Sequence, residues 1–243
     1  MTTAPIVRLY LFFATENDRA VILRQGPSKQ FRMILWNRDT DTFEDGQWIR
    51  KKVYTERCAL SPDGEHFIFF ALDGNWNGVA EGTFTGLSRP PYWTALSVFP
   101  CGDTWGGGGF FLDSTYYYAV GAADIVGKDD GLARVTFGKP EKGCTTGIRL
   151  VDGKRAPLDR AVTRRMLKEP VPKDLAEVYA RAPAPMSSAL DEYDTQGGKL
   201  HRRRGMELEL IRDFTDMEFE PIRAPYDWRP EEAEPWHPLK DKT

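Results

Sequence analysis

Hydrophobic and polar residues alternate in short runs along this chain, and turn-forming residues separate the runs. The clearest example is the stretch 57–71, which predicts a strand, a tight Ser-Pro-Asp-Gly turn at 61–64 and a second strand. Proline presets its own φ, aspartate bonds the backbone ahead of it, and glycine accepts a positive φ. Residues 67–71 are continuously apolar, which is typical of a strand that is buried on both faces.

Similar strand–turn–strand patterns occur along most of the chain. Their turn centres are spaced 39 to 50 residues apart and lie near Asn17, Asp63, Asp113, Asp152 and Gly197. A repeat of about 40 to 50 residues with four strands is the sequence signature of a propeller blade. We therefore predict an all-β fold, a propeller-like array of about five blade units.

Two stretches depart from this pattern. Residues 158–182 favour helix, and we interpret them as a short helical insertion in the fourth unit. Residues 73–91 are rich in glycine and polar residues and are predicted to be a long loop. The alternative fold is a partial propeller followed by a small α+β C-terminal region. The predicted domains are a propeller-like β domain at 1–223 and a proline-rich, acidic C-terminal tail at 224–243.

The turn motif carries a resemblance to known proteins. The LSPDG sequence at 60–64, followed by an apolar strand, resembles the blade hairpin of TolB-like and WD-repeat β-propellers. The strand that ends at 36–40 (WNRDT) resembles their Trp-Asp strand. The block 24–64 is similar to bacterial proteins that have no assigned activity. The resemblance therefore implies a fold and no reaction.

The composition is that of a globular protein. Of the 243 residues, 41% are hydrophobic and 12% are aromatic, which is enough for a sizeable core. Three cysteines without a C-x-x-C motif argue against a disulfide framework and against a zinc ribbon. The N-terminus lacks the features of a signal peptide, and its apolar run is too short to span a bilayer. We expect a cytoplasmic protein that does not interact with membranes.

Net charge and the absence of two sequence motifs argue against several further classes of function. A net charge of −3 argues against recruitment of nucleic acid, and the basic run at 201–204 is interpreted as a solvated face. The sequence contains no H-E-x-x-H zinc motif and no G-x-S-x-G nucleophile elbow.

One candidate site is a cation loop. Asp73, Asn75 and Asn77 place three oxygen-bearing side chains at alternate positions before a glycine, as in the first half of a Ca²⁺ loop. The second half of the motif fails, because its twelfth position is Phe84 and not glutamate. We therefore expect no cofactor, with Ca²⁺ as the one metal to consider.

Two other loops are candidates for ligand binding. Arg24, Ser28 and Lys29 combine two cations and a hydroxyl with a glycine-containing turn, which predicts an anion site. The candidate ligand-loop residues are Trp76, Asp103 and Trp105. The last two precede four consecutive glycines, so the backbone there can approach a ligand beside an indole. The alternative role of these glycines is to permit close packing of converging strands.

These features lead to two functional hypotheses. The first is a non-catalytic binding or interaction module whose partner is a protein or a small ligand. The second is a metal-dependent hydrolase or lyase with an axial pocket, whose ligands come from Asp73, Asn75, Asn77 and Asp103. Propellers serve both purposes, so the fold alone does not choose between them. Convergence of three or more carboxylate, amide or imidazole groups would favour the enzyme.

Overall fold

A computed structural model describes residues 7–27, 29–128, 131–137, 148–150, 190–235 and 237–238. Within these ranges the protein consists almost entirely of strands and connecting loops, arranged in four sheets that follow one another along the chain. The all-β prediction is therefore confirmed at that level. The predicted helical stretch 158–182 lies outside the described residues. No helix in the described ranges is long and apolar enough to cross a bilayer.

Sheet I is an antiparallel meander of four strands. They are β1 (Arg8–Phe13), β2 (Arg19–Gln25), β3 (Phe31–Asn37) and β4 (Thr42–Ile49). Asparagine side chains shape two of its turns: Asn17 Oδ1 accepts a hydrogen bond from the Arg19 amide at 2.9 Å, and Asn37 Oδ1 accepts one from the Asp39 amide at 3.0 Å. Such local bonds hold the chain reversals that bring the strands into register.

Sheet II is built around the hairpin that the sequence predicted most clearly. Its strands are β5 (Lys52–Val53), β6 (Ala59–Leu60), β7 (Phe67–Leu72), β8 (Thr83–Ser88) and β9 (Ala95–Pro100). A 3-10 turn at Thr55–Arg57 interrupts the first strand, so β5 and β6 both pair with β7. The Ser61 hydroxyl accepts bonds from the amides of Glu65 and His66, and Gly64 has a φ of +73°. The turn and the complete burial of residues 67–71 in β7 confirm the sequence prediction.

Sheets III and IV are smaller. Sheet III contains β10 (Gly109–Phe111), β11 (Tyr116–Ala119), β12 (Ala133–Phe137) and β13 (Ile148–Leu150). Sheet IV contains β14 (Tyr193–Asp194), β15 (Lys199–Arg204) and β16 (Glu207–Asp213). All pairs are antiparallel except β11 with β12, which are parallel and need a crossing connection through 120–132.

The four sheets stack face to face in the order IV–I–II–III. One face of sheet I packs against sheet II through residues such as Leu23, Met33 and Phe69. Its other face packs against sheet IV, where Trp36 contacts Tyr193. Sheet II turns its second face to sheet III, so sheets I and II are both covered on two sides.

The hairpin turns of the first three sheets lie side by side. The amides of Thr15 and Glu16 donate to the Pro62 carbonyl at 3.0 and 2.9 Å. Glu16 Oε2 also accepts a bond from the Ser114 hydroxyl at 3.1 Å. Strand β6 contacts both β1 of sheet I and β10 of sheet III. This edge is called the turn edge below.

The described residues depart from the predicted array in two ways. The turn at Gly197 lies at the edge opposite the turn edge, because Gly198 packs against Val7, which precedes β1. Residues 83–88 form a buried central strand, although we predicted a loop for 73–91. Threonines and Gly86 hid this strand: the glycine leaves room for the Phe69 ring, and the polar side chains are buried.

The C-terminal tail packs on the stack. The buried Gln47 side chain accepts hydrogen bonds from the amides of Trp93 and Thr94 at 2.6 and 2.8 Å, and it donates to the Pro235 carbonyl. Trp228 Nε1 donates to the Ala95 carbonyl at 3.3 Å. Gln47 therefore joins sheet I, sheet II and the tail at one point.

The close approach of sheets I and II predicts the effect of Gly46→Ala. A Cβ at this position would lie 2.0 Å from the Pro91 carbonyl oxygen, which is backbone and accepts the Gln47 amide. We expect the free energy of unfolding, measured in urea, to fall by about 2 kcal/mol. Gly26→Ala is the control, because the close contact of its Cβ is with the end of the Arg24 side chain and the nearest backbone atom, the Gln30 carbonyl oxygen, is 3.9 Å away. Equal stability of both variants and the wild type would contradict this packing.

The tail predicts a pH-dependent effect at Asp227. This buried carboxylate binds Arg229 and Arg223 at 2.8 and 2.9 Å. Burial acts to raise its pKa, but hydrogen bonds from Arg229 and the charges of both arginines outweigh burial and lower it. The carboxylate therefore stabilises the fold at neutral pH, and this stabilisation is lost as the pH falls through its lowered pKa.

We expect Asp227→Asn to cost about 3 kcal/mol at pH 7, because two guanidinium groups lose their counter-charge. The difference from wild type should narrow as the pH falls below about 4 in urea unfolding curves. The exposed Asp216→Asn should change little at any pH. A difference for Asp227→Asn that is constant with pH would show that its charge does not hold the tail.

Candidate functional site

The edge opposite the turn edge carries two ordered loops that follow β7 and β9. In the first, residues 73–82, the amides of Asp73 and Gly74 both donate to the Gly82 carbonyl at 2.9 Å, which closes the loop on itself. The Trp76 ring covers Gly82 and is 52% exposed. The loop thus holds a large apolar side chain at the surface.

The second loop, residues 101–108, holds another indole. Asp103 Oδ1 accepts hydrogen bonds from the amides of Trp105 and Gly106 at 2.8 and 2.7 Å. This Asx turn fixes the backbone beneath Trp105, whose side chain is 86% exposed. Thr83 of β8 donates to the Asp103 carbonyl and attaches the loop to sheet II.

The two loops are neighbours. Glu81 Oε2 lies 3.3 Å from the position that a Cβ on Gly102 would occupy. Arg57 reaches the second loop by donating to the Thr104 carbonyl at 3.4 Å. The Arg57 guanidinium also lies 5.7 Å from the centre of the Tyr54 ring. We call residues 52–57, 73–82 and 101–108 together the loop platform.

The glycines after Trp105 have a packing role. A Cβ on Gly107 would lie 2.1 Å from the Phe70 ring, and the Gly107 φ is +135°. The Gly108 amide donates to the Thr85 hydroxyl at 2.7 Å. These contacts match the alternative interpretation from the sequence, in which the glycines allow close approach of packed elements. They also make the base of the platform rigid.

The predicted calcium residues do not form a common cluster of acidic groups. Asp73 Oδ1 binds Lys51 Nζ at 2.5 Å and His237 Nε2 at 3.3 Å. The His237 hydrogen bond, opposed by burial and helped by Lys51, lowers the pKa of Asp73 to about 2. Asn75 and Asn77 are exposed. In the described part of the chain, no three His, Cys, Asp or Glu side chains are placed to hold a metal ion. The calcium site stays a prediction.

The predicted anion residues are not part of the loop platform, and their hydrogen bonds are to other segments of the chain. Arg24 is buried, and its Nε and Nη2 donate to the carbonyls of Phe214 and Thr215 at 3.1 and 3.0 Å. Lys29 is exposed with a φ of +64°. Ser28 lies outside the described residues. Sequence reasoning missed Arg32 and Trp48, which lie beside Arg24; their positions depend on strand pairing between β2, β3 and β4.

Neither of the two cysteines within the described ranges offers a reactive thiol. Burial raises the pKa of both Cys58 and Cys101, so each thiol stays protonated at neutral pH. Comparisons of the chain with protein-family models, with curated proteins and with solved structures found no match. Functional conclusions therefore depend on the chemistry of the loop platform and of the Arg24 surroundings.

Proposed function

We propose that this protein is a non-catalytic binding module on a propeller-like scaffold and that its loop platform contacts a protein partner. The observation that carries the proposal is the exposed Trp105 side chain on a hydrogen-bonded turn. A large apolar side chain exposed to water on a fixed backbone is typical of an interaction site, because little freedom is lost on binding.

The composition of the platform supports a protein partner. Trp76, Trp105, Tyr54 and Arg57 lie on neighbouring loops, and tryptophan, tyrosine and arginine are the residue types that contribute most to protein interfaces. Carboxylates of Glu81 and Asp103 lie among them, so the surface has a polar surround as well as apolar anchors.

The stacking supports the propeller-like scaffold. Sheet I is a four-stranded meander, and sheet II is a five-stranded sheet in which the short strands β5 and β6 both pair with β7. The two sheets follow one another in the chain, and β1 contacts β6 at the turn edge. In propellers, loops at the ends of such sheets form the binding faces. The parallel β11–β12 pair departs from that plan and favours an irregular or partial array.

The hydrolase or lyase hypothesis has less support. Asp73 is paired with Lys51 and His237, and the Asp103 side chain bonds the backbone of its own loop. The carboxylates of both residues are thus already bonded to other groups of the protein. Gly107 packs against the Phe70 ring, so an aromatic side chain and not a catalytic group lies at this point of the platform.

The experiment uses the full chain as bait in a lysate of its source cells, with variants compared at equal load. Any partner retained by wild type is then measured by titration against purified proteins. We expect Trp105→Ala to weaken binding by about 2 kcal/mol, which is about 30-fold in Kd. Thermal stability should stay unchanged because the indole is exposed.

Two matched controls separate the platform from general surface effects. Met206→Ala removes an apolar side chain that is fully exposed at the opposite end of sheet IV from the Gly197 turn. Asp113→Ala removes the same kind of Asx turn as Asp103→Ala, but at the turn edge. Binding should fall for Asp103→Ala and persist for both controls. Equal losses in all variants, or no partner for the wild type, would overturn the proposal.

A further inference from the structure

Three side chains form a row across sheet I at the ends of its strands. Arg24 of β2 lies directly opposite Arg32 of β3, and Arg32 lies opposite Trp48 of β4. Both guanidinium groups lie over the Trp48 ring, at 5.4 and 5.5 Å from its centre. Residues 214–220, which follow sheet IV, cover the row.

The row buries more positive charge than the described residues neutralise. Arg24 is 3% exposed and Arg32 is 7% exposed. Glu220 is the one carboxylate of the described chain that pairs with either, at 3.4 Å from Arg32, and its own side chain is mostly exposed. Like charges at directly opposite positions of a sheet destabilise it. The proximity of Arg32 adds to burial in lowering the pKa of Arg24.

One buried polar atom of the row is also left without a partner in the described part of the chain. The buried Trp48 Nε1 has no hydrogen-bond acceptor among the described residues. Arg24 directs Nε and Nη2 to main-chain carbonyls, and these carbonyls carry no net charge. Cation–π contacts with Trp48 give the arginines some stabilisation but do not cancel their charge. A buried guanidinium is usually paired with an anion.

The remaining nitrogen of Arg24, Nη1, lies against Gly26, which is itself buried. Arg24 Nη1 lies 2.5 Å from the position that a Cβ on Gly26 would occupy, so any larger residue would press on the guanidinium and displace it. Gly26 has no left-handed φ that would otherwise require glycine. Lys29, in the same turn as Gly26, is exposed and adds a third cation to Arg24 and Arg32.

From this arrangement we propose that Arg24 and Arg32, with Gly26 beside Arg24 Nη1, form a binding site for a small phosphate-bearing anion. The planar guanidinium fork matches the oxygens of a phosphate group and would give it charge-assisted hydrogen bonds. The anion supplies the negative charge that the row lacks. The site is distinct from the loop platform and does not depend on the function proposed for that surface.

The test is a calorimetric titration of the full chain with inorganic phosphate, with adenosine monophosphate as a second arm and sodium chloride at matched ionic strength as control. We expect saturable binding of one phosphate per chain and no saturable effect of chloride. Tighter binding of the monophosphate than of inorganic phosphate would assign the anion to a nucleotide; the reverse order would assign it to free phosphate.

Two variants test the residues. Gly26→Ala places a methyl group against Nη1 without changing any charge and should weaken phosphate binding at least about tenfold while the fold is retained. Arg24→Lys should weaken it similarly because the fork is lost. Arg204→Lys, a distant exposed arginine that pairs with Glu209, should leave the affinity unchanged. The site is disproved if wild type shows no saturable phosphate binding, or if Gly26→Ala binds phosphate as tightly as wild type.

Discussion

The structure depends on one constraint: sheets I and II each have two apolar faces, and neither can be exposed to water. Side chains of β2, β3, β7 and β8 are almost completely buried on both sides. Burial of such faces supplies most of the free energy of folding. Each of these sheets therefore needs a neighbour on both sides, and the order IV–I–II–III is the arrangement that provides one. Sheets III and IV close the two ends of the described stack.

The two edges of the stack differ in the length of their loops and in the side chains that they expose. At the turn edge, short Asx and Ser-Pro-Asp-Gly turns hydrogen-bond to one another across sheets I, II and III. These turns expose polar side chains such as Glu16, Asn17 and Asp18, but they present none of the large apolar side chains that are exposed elsewhere in the described residues. The loops after β7 and β9 are longer, close on themselves, and expose Trp76 and Trp105. The row of Arg24, Arg32 and Trp48 is a third kind of surface, in which charge is buried between a sheet and the segment that covers it.

Local chemistry made some of this predictable. The turn at 61–64 and the buried strand after it follow from residue types alone, and Trp76, Asp103 and Trp105 were identified individually from loop composition. The contact between their two loops was not predictable, because it depends on the pairing of β8 with β7 and β9. Strand β8 was missed because threonine and glycine replace the usual apolar residues. Arg32 and Trp48 were missed because strand register places them beside Arg24.

Hydrogen exchange of the backbone amides in the full chain tests the stacking most directly. If sheets I and II share one core, amides of β2, β3, β7 and β8 exchange slowest, and all with the free energy of global unfolding. Amides of the loop platform and of the β15–β16 hairpin exchange faster, because a larger share of their residues is exposed and fewer apolar side chains are buried there. If β7 and β8 exchanged at a clearly lower free energy than β2 and β3, the two sheets would unfold separately, and the account of a single stacked core would be wrong.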